Sequence, residues 1–146
     1  MQSLLQPYAD AAEQAGYRAW VTPADGTGRV SELFCLIHVD QAGRNYMLHG
    51  MYPDELLESL SDPIAEAAET EPVLLQLTVA LPFTVEPGVA ADTALALHML
   101  NLLVPQGQFI LSEPEGLMVF RSTLSYTDAE FPPALVLEAI QMARFL

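Results

Sequence analysis

Val73-Leu-Leu-Gln-Leu-Thr-Val-Ala-Leu81 lies between Pro72 and Pro82 and is built almost entirely from aliphatic and β-branched side chains. A run of that length and composition between two prolines reads as a strand ending at Pro82. It is longer and more apolar than the other strand candidates, which places it inside a sheet rather than at an edge. Upstream, Tyr17-Arg-Ala-Trp-Val-Thr22 reads as a strand closed by the turn-prone Pro23-Ala-Asp-Gly-Thr-Gly28. A strand from about Glu32 to Asp40 then meets another, from about Arg44 to Gly50, across Gln41-Ala-Gly43, a link short enough for a hairpin. Downstream, Gln108 to Ser112 and Leu117 to Tyr126 form a second hairpin around Glu113-Pro-Glu-Gly116.

Three helices frame these strands. Leu4, Leu5, Tyr8, Ala12 and Ala15 recur at helical spacing from Gln2 onward, with Gly16 as the stop. The run from Ala91 to Val104 is rich in Ala and Leu, has Asp92 near its start, and is followed by Pro105 and Gly107. Nearly every face of that helix is apolar, so it should be covered by the sheet on one side and by another body, most economically a second copy of the chain, on the other. A closing helix follows Pro132 and carries Arg144 in its last turn, favourable to the helix dipole.

The expected fold is therefore α+β: residues 1–146 as a single domain, a twisted, mainly antiparallel sheet with helices packed on it. Residues 51–72 interrupt it with seven acids and no base, split by Asp62-Pro63, and read as an exposed acidic insert. Spaced carboxylates of this kind form a solvated face more readily than a metal site.

Charge narrows the function. The chain holds 19 acids against five bases, a net charge of −14, and no lysine. Lysine Schiff bases, lysine general bases and the phosphate-loop lysine are thereby excluded. A phosphate backbone repels such a chain, so nucleic acid is not an expected partner. Every apolar run is broken before the roughly 18–20 residues that span a bilayer. The first residues lack the pattern of a secretory signal, so a cytoplasmic protein is expected. The single Cys35 lies in Leu33-Phe34-Cys35-Leu36-Ile37 and reads as a buried core thiol.

No catalytic signature emerges, and no cofactor or metal is expected. His38, His49 and His98 lack metal-ligand spacing, although a hairpin could bring His38 and His49 together. His98, on the apolar helix, reads as a buried imidazole at a subunit contact. Asp25-Gly-Thr-Gly28 resembles an aspartic-protease turn, but Pro23 and Ala24 precede it where an apolar strand should enter, which leaves a turn signal. Trp20, Phe34, Tyr46 and Phe109 lie in strands, where core packing is expected. Met47, Met51, Met99 and Met118 suit either gap-filling or an adaptable binding surface.

The stretch from Leu97 to Leu146 resembles the YbjN family through Leu100-Asn101-Leu102, Pro105-Gln-Gly-Gln-Phe109, Glu115-Gly116-Leu-Met-Val-Phe-Arg121, Leu124 and the proline-started last helix. The resemblance covers about a third of the chain, and the first half agrees in the order of elements. It implies a fold shared with the specific chaperones of type III secretion, small acidic cytoplasmic proteins that dimerise and hold a client segment against apolar patches. The leading expectation is thus a non-catalytic, chaperone-like or regulatory homodimer that binds an unidentified protein, with Leu95, Met99, Leu102, Leu103 and Met118 at the dimer or partner contact. Two alternatives stand beside it. One is a small-ligand binder or enzyme with a pocket between sheet and helices, using Asp25, His38 or His49; the other is a structural subunit of a larger complex.

Overall fold

The structure, a computed structural model, describes residues 4–24, 30–39, 41–52, 73–126 and 132–144. The acidic insert, apart from Met51 and Tyr52, and the Asp25-Gly-Thr-Gly28 turn lie outside the described residues. The chain is α+β. Its elements are α1 (Gln6–Gln14), β1 (Arg18–Thr22), β2 (Glu32–Val39), β3 (Asn45–Met51), β4 (Val73–Thr84), α2 (Ala90–Asn101), β5 (Gln108–Ser112), β6 (Leu117–Tyr126) and α3 (Pro133–Ala143). The strands form one open, wholly antiparallel sheet in the order β1-β2-β3-β4-β6-β5.

The most apolar strand, β4, is interior, flanked by β3 and β6. One register row crosses the whole sheet through Ala19, Cys35, Leu48, Val79, Phe120 and Phe109. Side chains alternate across a strand, so this row and its neighbours two residues away face one side. There they meet Leu5, which caps α1, Tyr8, Ala9 and Ala12 of α1, and Val136, Ile140 and Ala143 of α3, and together these make the core. The face that α1 and α3 leave free carries the row Trp20, Phe34, His49, Thr78, Arg121 and Gln108.

Three details depart from the sequence reading. The first helix begins at Gln6, not Gln2, because Pro7 occupies its first turn, where the missing N–H costs nothing. The fourth strand runs through Pro82 to Thr84; the ladder with β6 shifts register between Ala80 and Thr84, so proline removes no regular bond there. Trp20 and Phe34, its partner across β1 and β2, are not core residues, whereas Tyr46 and Phe109 pack against the core. Ala19 takes the core side of β1, so the indole must face the opposite way, where it is 44% exposed and stacked on Phe34 at 5.6 Å.

Candidate functional site

The helix α2 is the feature of the surface that the fold does not account for. Ala, Leu and Met favour its helical backbone, Asp92 in the first turn complements its dipole, and a 3-10 turn at Pro87–Val89 leads into it. Of its residues only Leu97 is buried. Leu95 and Met99 are each 62% exposed, Leu102 74% and Leu103 80%. At spacings of four, seven and eight residues they line one side of the helix and its terminal turn. Leu97 is the buried residue through which the sheet covers one flank of this helix, and His98 is exposed in the single chain, so the burial expected for it rests on a subunit contact.

What fixes the helix in place is its last residue. The Asn101 side-chain amide donates to the Phe109 carbonyl at 2.9 Å, and its oxygen accepts from the Phe109 N–H at 2.7 Å. This pair joins α2 to β5, the edge strand, and satisfies main-chain groups that an edge would otherwise leave open. Met118, the fifth contact candidate, is half-buried on β6 opposite Leu111. It stands two residues before Phe120, hence on the core side of that strand.

A second feature lies between α3 and the sheet. A cavity of about 90 Å³ is lined mainly by apolar side chains, among them Leu77, Val79, Phe120, Leu124, Leu135 and Met142. Ser122 lies at its wall, and Glu138 and Gln106 also line it. The size suits one aliphatic side chain or a similarly small apolar group.

The histidines do not converge. His49 stacks on Phe34 at 5.0 Å on the free face and hydrogen-bonds Glu32 at 2.9 Å. His38 stands opposite Tyr46, their rings 6.0 Å apart, because a bulge between Leu36 and His38 changes the register. Neither lines the apolar cavity. Cys35 is fully buried, and burial pushes its thiol up to about 11. Among the described residues, no group of three His, Cys, Asp or Glu could hold a metal ion, and no helix is long and apolar enough to cross a membrane.

The Asn101 tie and the placement of Leu97 escape sequence reasoning, since both depend on contacts with a strand that follows the helix. Compared with protein-family models and with curated proteins, the chain matches none.

Proposed function

We propose that this chain is a YbjN-like, non-catalytic protein-binding module, chaperone-like or regulatory and cytoplasmic, that works as a homodimer and holds a partner protein against an apolar patch. The observation that carries the reading is the exposed stripe Leu95, Met99, Leu102 and Leu103. Fully burying a side chain of this kind contributes about 1.5–3 kcal/mol. Four such residues from each of two copies, each 62–80% exposed, contribute an amount of the same order as the association cost of about 4–15 kcal/mol. A second copy is the favoured cover because a two-fold contact sets the same stripe against itself and demands no further complementary surface. The groove beside α3, with Leu135 and Met142 at its wall, is then the patch open to a client side chain.

A second reading, a small apolar ligand in that groove, is favoured by the cavity itself. It differs from the sequence-based version in one respect, since His38 and His49 stand elsewhere.

Native mass spectrometry of the protein purified gently from its own host separates the two. A dimer carrying a stoichiometric protein is the expected result. A monomer, or a chain bearing only a small bound mass, would overturn the chaperone-like reading.

A further inference from the structure

The ladder between β1 and β2 ends at Arg18 opposite Leu36, yet β2 continues to Val39. Before Arg18 the chain turns away through Tyr17 and Gly16 into α1, leaving a notch of about 380 Å³ at the sheet edge. Its walls include Tyr17, Arg18, His38 and, from the far end of the sequence, Arg144 just past α3. On the β1 side, the main chain of residues 37–39 has no strand partner among the described residues. The bulge between Leu36 and His38 helps to shape the notch, turning the imidazole toward Tyr46.

The chain has only five basic residues. Arg44 donates to the Pro82 carbonyl at 3.4 Å, Arg121 lies half-buried on β6, and Arg29 is outside the described residues. The remaining two, Arg18 and Arg144, both line this notch, and no carboxylate among the described residues does. On a molecule with 19 acids, two arginines lining one notch that no carboxylate among the described residues lines concentrate positive charge at this sheet edge. A guanidinium presents a fork of N–H donors that fits two oxygens of one carboxylate or phosphate. Peptide N–H groups of an unpaired strand end can add further donors. The surrounding charge of −14 opposes a long polyanion while a compact anion is tolerated.

We propose that the notch between Arg18, His38 and Arg144 is a binding site for a small molecule bearing a carboxylate or phosphate group. This site is separate from the α2 stripe and independent of the protein-binding reading.

The test is titration of the isotopically labelled chain with inorganic phosphate and, separately, with succinate at low ionic strength, following backbone amide shifts. Wild type is compared with Arg18→Gln, Arg144→Gln and, as a control of equal charge, Arg44→Gln. Saturable shifts confined to residues 15–18 and 36–39 are expected, weakened about tenfold or more by either notch substitution and unchanged in the control. Saturation by phosphate alone or succinate alone supports the site and assigns its ligand to that class. The proposal is overturned if neither anion gives saturable shifts, or if all four proteins respond alike.

Discussion

Asn101 grips the main chain of Phe109 from both sides, donating to its carbonyl and accepting from its N–H. The pair fastens an otherwise exposed helix to an edge strand. Asn101→Ala should therefore cost about 1–3 kcal/mol, the sum of two modest hydrogen bonds. Urea denaturation measures it; a change below about 0.5 kcal/mol, the level of an ordinary surface substitution, would mean that the amide contributes nothing to docking.

Leu102→Asp and Leu103→Asp address the stripe. Both side chains are exposed in the single chain, so the fold of one copy should keep its stability to within about 0.5 kcal/mol. If the stripe is the contact, sedimentation velocity should show the wild type as a dimer that resists salt, because apolar burial rather than charge pairing would hold it. The variants should sediment as soluble monomers. An unchanged dimer would remove α2 from the contact.

Gly116 and Gly43 both have positive φ, at 67° and 76°. An alanine Cβ at Gly43 meets nothing within 4 Å, whereas at Gly116 it would run into the Val85 carbonyl. Gly43→Ala should cost only the left-handed conformation, about 1–2 kcal/mol. Gly116→Ala should cost about 1–3 kcal/mol more, the usual range for overpacking, because the Val85 N–H also donates to the Gly116 carbonyl at 2.8 Å. Equal losses in thermal melts would show that the loop yields freely.

Cys35 should resist alkylation at pH 8 in the folded protein and react once the chain is unfolded in urea. Its thiol is raised from 9.0 to about 11 by burial, so folding favours the protonated form. That contribution is complete below pH 9 and is lost as pH climbs through 11, and stability should fall across that window. Rapid alkylation without denaturant would contradict the buried placement.

The order of elements was legible because its punctuation is local: Gly16, Gly43 and Glu113-Pro-Glu-Gly116 each act on their immediate neighbours. The interior position of β4 was legible from its composition. Other features depend on partners distant in sequence. Whether Trp20 faces the core follows from the phase of alternation that Ala19 sets, and the direction of His38 follows from a bulge defined only against β3. The stripe on α2 could be read, since an all-apolar helix must leave some residues outward. Its attachment through Asn101 could not, because an amide in a helix declares no partner. The notch was hidden for the same reason, as Arg18 and Arg144 look like isolated bases until the fold sets both along one notch.

The strand order has a consequence for synthesis. The second neighbour of β4 is β6, which the ribosome delivers only after α2 and β5 have been made. Until residues 117–126 emerge, the most apolar strand of the protein is itself a sheet margin with open peptide groups. A nascent or truncated chain ending before that point carries a sticky border that the finished molecule seals, so fragments lacking β6 should precipitate where the whole chain stays dissolved.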